Sequence, residues 1–211
     1  KGLTIAVLIG LLIVGSISLN AQEAEPDPVI IIPGIVGSWN WGVMLSNTAT
    51  STEGWNFLPG GHDYENLVKS FEDKGYVRDQ NLFVAFYDWR KDNVNSAITY
   101  LVPIIDKALA NSESGKVDIV AHSMGGIVAR YYIQSDIYRD DVDQLILLGT
   151  PNFGSSDAYS LWEGGLVPEN WQTIQRAFIN TYLWYMTMAT GQTEDNYDTI
   201  HQHVPSIQDL L

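Results

Sequence analysis

One serine stands where a strand-like segment gives way to a helical one, in the stretch VDIVAHSMGGIVARYYI of residues 117–133. It is Ser123, with Ala121 two positions before it and Gly125 two positions after it. A serine at the tip of such a turn adopts a strained backbone that exposes its hydroxyl, and bulky residues at those two positions would clash. The pattern favours Ser123 as a nucleophile that forms a covalent acyl intermediate. The alternative is a serine that caps the following helix.

A nucleophilic serine needs backbone N–H groups that stabilise the oxyanion formed during attack. The helix after Ser123 supplies one such amide from Met124, together with a favourable helix dipole. A second amide normally comes from the loop after an earlier strand. The segment IIIPGIVGS, residues 30–38, fits this role because Gly34 turns the chain sharply and the next amide, that of Ile35, can point at the oxyanion. The alternative is an ordinary Pro-Gly turn.

The histidines give no obvious base for this serine. Where a strand–serine–helix turn carries a triad, the chain order is Ser, then Asp or Glu, then His, and His62 precedes the serine. The side chain of His122 is expected to point away from Ser123. We interpret His201 and His203 as exposed loop residues, the alternative being that one of them is the base. The sequence has no H-E-x-x-H motif, and we expect no metal and no cofactor.

Two further groups of residues have both a structural and a functional interpretation. Trp39 and Trp41 follow the predicted oxyanion turn, and they either bind the acyl part of a substrate or cap the core. Asp88 and Arg90 are predicted to form a structural ion pair, with Trp89 packed beside the strand end. The alternative for that pair is a direct role in catalysis.

Buried strands that alternate with helices position these residues. This alternation predicts a parallel sheet with crossover helices. Pro103 lies inside one predicted helix, which is therefore either kinked there or begins later. We expect strands at 29–32, 82–86, 116–121 and 145–148, helices at 64–74, 94–110, 126–134 and 171–189, and a long loop at 47–63.

Composition narrows the classes of partner. The chain has 211 residues, 45% of them hydrophobic, which suits one domain with a real core. Its net charge of −14 argues against nucleic acid and against electrostatic docking on anionic lipid. It contains no cysteine, so disulfides and thiolate chemistry are excluded. A neutral or zwitterionic substrate remains possible, with transient contact to a lipid surface, and the oligomeric state stays open.

The N-terminal segment differs from the rest of the chain. Residues 1–21 run from a Lys through an apolar stretch to small polar residues, as a secretory signal peptide does. We therefore expect a secreted or periplasmic protein, the alternative being an uncleaved membrane anchor. Residues 22–28 read as a linker, 29–156 as the sheet-containing core, and 157–211 as a helical cap or insertion.

Several short segments together resemble a known enzyme group. AHSMGG resembles the serine turn of small bacterial lipases, and LLGTPNFGS resembles the strand and loop that follow it. PGIVGS, YDWR and VPSIQDLL resemble the lecithin:cholesterol acyltransferase-like branch of the α/β-hydrolase lipases and esterases. This resemblance implies an α/β fold, an α/β-hydrolase-type mostly parallel sheet with crossover helices and a helical cap. Pro33 stands where many lipases have a histidine.

The resemblance also implies a reaction, and it exposes a gap. After residue 148 no strand-like segment appears that would carry the acid and the histidine, so we expect a fold incomplete at the C-terminus and a chain truncated before both residues. The leading hypothesis is a secreted serine hydrolase that cleaves carboxylic esters, with lipid-like esters as its substrates. The alternatives are an acyltransferase of the lecithin:cholesterol type and a catalytically incomplete lipid-binding domain.

Overall fold

The computed structural model describes residues 25–46, 52–191 and 196–211. The predicted signal peptide, residues 1–21, lies outside the described residues, and so do residues 22–24 of the predicted linker. Among the helices in the described ranges, none is both long enough and apolar enough to span a bilayer.

A four-stranded sheet forms the centre of the molecule, and its strands lie in the order β4-β1-β5-β6 with every neighbouring pair parallel. A separate pair, β2 and β3, is antiparallel. The mostly parallel α/β architecture predicted from the sequence is confirmed. The strands of the described part are β1 (Val29–Ile32), β2 (Ser38–Trp39), β3 (Asn56–Phe57), β4 (Leu82–Val84), β5 (Val117–His122) and β6 (Val142–Leu148).

Helices lie both between the strands of the sheet and after its last strand in the chain. Ahead of β6, they connect successive strands of the parallel sheet, whereas the helices after β6 form a separate, contiguous group. In the described ranges they are α1 (Trp41–Ser46), α2 (His62–Glu72), α3 (Asn93–Ser96), α4 (Val102–Ala110), α5 (Met124–Ile133), α6 (Ser156–Gly164), α7 (Thr173–Thr190) and α8 (Asn196–His203), with a π-helical turn at Ala97–Leu101 and a 3-10 helix at Pro205–Leu210.

The strand β1 lies inside the sheet and determines where the turn that follows it is placed. All four of its residues are buried, as the unbroken β-branched run predicted. The register pairs Ile32 with Ala121 of β5, so both strands end at the same edge of the sheet. The turn after β1 and the serine after β5 therefore meet at that edge.

The helix predicted at 94–110 forms with an irregularity. Residues 93–110 are helical, but the segment Ala97–Leu101 is a π-helical turn placed directly before Pro103. Pro103 is the second residue of α4, so the residue that lacks a backbone N–H lies just after the π-helical turn. The wider turn thus accommodates the proline without ending the helix.

Three predicted boundaries change for identifiable reasons. The strand predicted at 82–86 is β4, and it ends at Val84. The Ala85 N–H still donates to Ile31 O at 2.9 Å, and the chain then leaves the sheet. The strand predicted at 145–148 is β6, and it begins earlier, at Val142. The sequence does not show this start, because Asp143 and Gln144 of this edge strand are polar and exposed. The predicted loop at 47–63 contains β3, a strand too short to show periodicity.

The region after β6 contains the largest correction. His201 and His203 are not loop residues: both lie in α8, which the sparse apolar pattern of NYDTIHQH does not reveal. The 3-10 helix then docks on the residues that follow β4. Ser206 Oγ donates to Trp89 O at 2.5 Å, and Asn93 Nδ2 donates to Asp209 Oδ2 at 2.9 Å.

Candidate active site

Ser123 occupies a strained turn between β5 and α5. Its backbone has φ 51° and ψ −127°, a positive φ that a residue with a side chain rarely adopts. The Ser123 N–H donates to Leu148 O of β6 at 2.9 Å, which ties the turn to the neighbouring strand. The helix α5 begins at Met124, so its N-terminal end lies directly after the serine. Ser123 makes no side-chain capping bond, which disfavours the capping alternative.

Two glycines allow α5 to approach the sheet so closely. A Cβ placed on Gly125 would lie 2.5 Å from Pro33 O and 2.6 Å from Ile32 O, which are backbone atoms that cannot move aside easily. A Cβ on Gly126 would collide with the side chain of Thr150, just beyond β6. Gly125 therefore faces β1, and Gly126 faces the segment after β6.

The turn after β1 packs against the serine. The Gly37 N–H donates to Gly34 O at 3.0 Å, which closes the turn. A Cβ on Gly34 would lie 2.8 Å from the Cβ of Ser123, so a side chain at residue 34 would push the turn away. Ile35 follows, and it lines the same pocket as Ser123.

That pocket has a volume of about 160 Å³ and several walls. The first wall is the turn after β1, and the second is the serine turn itself. Residues from the start of α6, the start of α7 and the 3-10 helix close the remaining sides, so the predicted cap region contributes to the pocket. The residues that close these remaining sides include Ser155, Asp157, Gln175 and Leu210. Within the described residues, no Lys or Arg lines the pocket.

Tyr64 of α2 is a pocket residue that sequence reasoning missed. Its hydroxyl accepts the Gly34 N–H at 2.8 Å and lies 2.7 Å from His122 Nδ1. Burial raises the pKa of Tyr64 to about 12, against the bond from Gly34, which lowers it, and with a further increase from Asp63. Nothing in the sequence marks Tyr64, which lies in the first turn of an amphipathic helix.

The position of His122 corrects an expectation. Its ring does not point away from the serine but lines the Ser123 pocket, because Tyr64 holds its Nδ1 there. Burial lowers the pKa of His122, while the charge of Asp63 acts in the opposite direction. The lowered pKa favours a neutral ring.

The other histidines lie elsewhere. His62 is exposed and pairs with Glu65 at 3.1 Å. The His201 ring has its centroid 3.8 Å from that of Trp162 and 4.0 Å from that of Tyr197. His203 is buried, and burial lowers its pKa, with further lowering by Arg90 and Lys91. Within the described residues, none of these three lines the Ser123 pocket.

Asp88 and Arg90 form the ion pair predicted from the sequence. Both side chains are buried, and two guanidinium–carboxylate bonds of 2.7 Å join them. Burial acts to lower the pKa of Arg90, but the hydrogen bond and charge of Asp88 outweigh it and raise that pKa. Arg90 also contacts Tyr182 Oη of α7 at 3.2 Å and Val43 O of α1 at 3.4 Å. The pair is thus a structural link, and it is not part of the Ser123 pocket.

Trp39 and Trp41 line a second cavity, an aromatic groove between α1 and α7 of about 250 Å³. Trp39 is buried, whereas 54% of Trp41 is exposed. Their rings meet edge to face at 5.2 Å, and both pack on Phe178. The groove also includes Leu45, Tyr182 and Trp184. The structure therefore does not bring either tryptophan into the pocket that contains Ser123.

Among the described residues, one cluster of three acids has a spacing that could hold a metal ion, and it lies at the opposite edge of the sheet. One carboxylate oxygen each from Asp27, Asp118 and Asp143 lies within 4.8 Å of the others. Burial raises the pKa of Asp118, and the other two acids raise it further. This cluster lies at the N-terminal ends of β5 and β6, whereas Ser123 follows the C-terminal end of β5.

Comparison with known proteins places this geometry in context. The family model described as "Lecithin:cholesterol acyltransferase" matches residues 55–180, more than half of the chain. This range includes Ser123 and Tyr64, while the turn at Gly34 lies before it. The chain is also similar to "Lysosomal phospholipase A and acyltransferase" of Canis lupus familiaris, with 32% identity over 75 residues. That match covers 35% of this chain and 18% of the relative, so the chain spans less than a fifth of the relative's length.

Proposed function

Because the chain belongs to the lecithin:cholesterol acyltransferase family, we propose that it acts on carboxylic esters of lipids through an acyl-enzyme on Ser123. The observation that carries the proposal is the strained backbone of Ser123, which projects from the sheet edge into a pocket shared with Ile35. A positive φ at a serine is costly, and such strain is concentrated at functional sites. The family and the relative's printed name support lipid esters as the substrate class.

In the proposed mechanism Ser123 Oγ attacks the ester carbonyl carbon. The carbon–oxygen π bond breaks, and its electrons form an oxyanion that accepts hydrogen bonds from the N–H groups of Met124 and Ile35. Collapse of this intermediate expels the alcohol and leaves an acyl-serine. Water then attacks the acyl-serine and releases the acid, or a second alcohol attacks it and forms a new ester. The N-terminal end of α5 adds a favourable dipole near the oxyanion.

The proton of Ser123 must pass to a general base, which then gives it to the oxygen of the departing alcohol. In a triad of this type the histidine follows the serine in the chain, and the two histidines that do so, His201 and His203, lie outside the pocket. His122 lines it, but its Nδ1 is bonded to Tyr64. The base and its acid partner therefore stay a prediction, and we assign them to none of the described residues.

A fluorophosphonate probe tests the nucleophile. We expect slow labelling of one site in the 211-residue protein, with the adduct on Ser123 by peptide mass spectrometry, and no labelling of Ser123→Ala. Ser70→Ala, which removes an exposed hydroxyl on α2, is the matched control and should label normally. Labelling that survives Ser123→Ala would overturn the proposal, and a folded protein without any labelling would favour a non-catalytic lipid-binding domain.

The same material addresses export and acyl transfer. We propose that residues 1–21 are removed on export, and the intact mass of exported protein should then begin near Gln22; a mass that includes the first 21 residues would favour an anchor. A nitrophenyl ester offered with and without a long-chain alcohol separates the two reactions. New ester in the product indicates a transferase, while free acid alone indicates a hydrolase.

A further inference from the structure

The Tyr64 hydroxyl joins the two halves of the proposed oxyanion site. On one side it accepts the N–H of Gly34, the residue before Ile35, at 2.8 Å. On the other it lies 2.7 Å from Nδ1 of His122, the residue before Ser123. One side chain from α2 thus contacts the turn after β1 and the turn after β5.

Counting hydrogens allows an arrangement in which each of these bonds has one donor. A phenol has one hydrogen to donate and can accept bonds from others. Since the Gly34 N–H donates to Tyr64 Oη, the phenolic hydrogen is available for His122 Nδ1, which then carries no hydrogen of its own. A phenol that stays protonated and an imidazole that stays neutral both agree with this assignment, as the raised pKa of Tyr64 and the lowered pKa of His122 indicate.

These bonds fix two consecutive peptide groups. Tyr64 holds the peptide that contains the Gly34 N–H, and Gly37 holds the next peptide through Gly34 O at 3.0 Å. The second peptide is planar and trans, so its N–H, that of Ile35, points opposite to Gly34 O. Because Tyr64 occupies the Gly34 N–H, the amide left to face the pocket is that of Ile35.

The ring of Tyr64 is itself held in place. It stacks on Phe57 of β3 with ring centroids 5.5 Å apart and planes only 8° from parallel. It also meets the His122 ring edge to face at 5.6 Å. The hydroxyl is therefore presented by a fixed ring, and the ring contacts do not need the hydroxyl.

We propose that Tyr64 is a positioning residue for the oxyanion site: its hydroxyl locks the Gly34–Ile35 turn to the serine turn and sets the direction of the Ile35 N–H. The inference rests on the proposed function of Ser123. Tyr64 touches no reacting atom in this scheme and acts through Gly34 and His122. Loss of the hydroxyl removes the bonds that hold the turn after β1 to the serine turn. The Ile35 N–H is then no longer held in one direction, and it must be oriented during the reaction.

The test compares Tyr64→Phe with the parental protein and with Tyr76→Phe, which removes a phenol hydroxyl far from the pocket. Tyr64→Phe keeps the stack on Phe57 and removes only the hydroxyl. Fluorophosphonate kinetics should show the maximal inactivation rate falling about 10- to 100-fold, less than the roughly 100- to 1000-fold cost of removing an oxyanion donor, because the Ile35 amide is misoriented and not lost. The probe's half-saturating concentration should stay unchanged. By NMR, the Gly34 amide should exchange with solvent about 10-fold faster or more, as expected for a lost internal hydrogen bond.

Each outcome decides one question. An unchanged inactivation rate, or a lower rate with unchanged Gly34 exchange, overturns the positioning role. If Tyr64→Phe fails to fold, the parental protein alone decides: a hydrogen on His122 Nδ1 in the ¹⁵N spectrum, or a rapidly exchanging Gly34 amide, overturns it. A parental protein that shows both bonds but never labels at Ser123 overturns the proposed function instead, and the positioning role with it.

Discussion

The Ser123 pocket and the aromatic groove are built on different physical principles. Backbone geometry shapes the pocket: a positive φ at Ser123 and two glycines, Gly34 and Gly125, that allow backbone contact. Side chains shape the groove, where rings from β2, α1 and α7 meet at centroid distances of 5.0–6.0 Å. Each of the two turns in the pocket is shaped by residues close together in the sequence. The groove instead depends on packing between segments more than 130 residues apart, such as the bond of 2.9 Å from Tyr185 Oη to Leu45 O.

This difference in construction suits the two cavities to different roles, the Ser123 pocket to the proposed reaction and the aromatic groove to apolar contact. A site built from backbone tolerates little change in shape, which suits the fixed donors that an oxyanion requires. A groove of aromatic side chains can adapt to acyl chains of different length, which suits lipid esters. The two cavities share no lining residue. Mutations in one should therefore leave the other largely intact.

The largest effect is expected where the groove is anchored. Arg90→Leu leaves the buried carboxylate of Asp88 without its partner and removes the contacts that link α1 to α7. Breaking a buried ion pair from one side costs about 3–5 kcal/mol in the free energy of unfolding. Urea denaturation measures the loss. Arg78→Leu, which breaks an exposed pair with Glu72, is the control and should cost about 1 kcal/mol or less. Equal losses for the two variants would contradict the structural role of the buried pair.

A smaller loss of stability with a large loss of labelling is expected at the pocket. In Gly125→Ala the added methyl meets Pro33 O and Ile32 O at 2.5–2.6 Å, so α5 must move away from β1. Overpacking of this kind costs about 1–3 kcal/mol, and the shift separates Met124 from Ile35. Denaturation and fluorophosphonate labelling check the two effects.

Gly164→Ala is the matched control, because a methyl there finds only ordinary contacts of 3.4 Å or more with Leu166. The control should label at the parental rate. If Gly125→Ala also labels at that rate, the tight approach of α5 to β1 is not what shapes the pocket.

The same contrast explains what the sequence could predict. The strand β1 was found residue for residue, because a run of buried β-branched residues ended by Pro-Gly has one interpretation. The serine turn was predicted from residues 121–125 for the same reason: its geometry depends on neighbours in the chain. The role of Ser123 in catalysis stays a prediction.

Features that depend on distant contacts were missed. Tyr64 reaches His122 across 58 positions, and no local pattern marks it. The sequence predicts a loop in place of α8, because this helix is stabilised by buried residues such as Ile200, which packs in the core, and not by a regular apolar stripe. For Trp39 and Trp41 the sequence leaves two interpretations open, acyl binding or capping of the core, since their partner Phe178 lies far away in the chain.

The smallest effect is expected at the rim of the groove. Trp41 is 54% exposed and packs on Trp39 and Phe178, so Trp41→Ala should cost about 1 kcal/mol, the scale of an aromatic pair. If the groove holds acyl chains, this variant should lower the rate of labelling by a long-chain fluorophosphonate several-fold while the rate for a short-chain fluorophosphonate stays unchanged. Phe153→Ala, which removes a fully exposed ring outside the groove, should leave the ratio of the two rates unchanged. An unchanged ratio in Trp41→Ala as well would show that the groove is a packing feature, and that acyl chains are held by the Ser123 pocket alone.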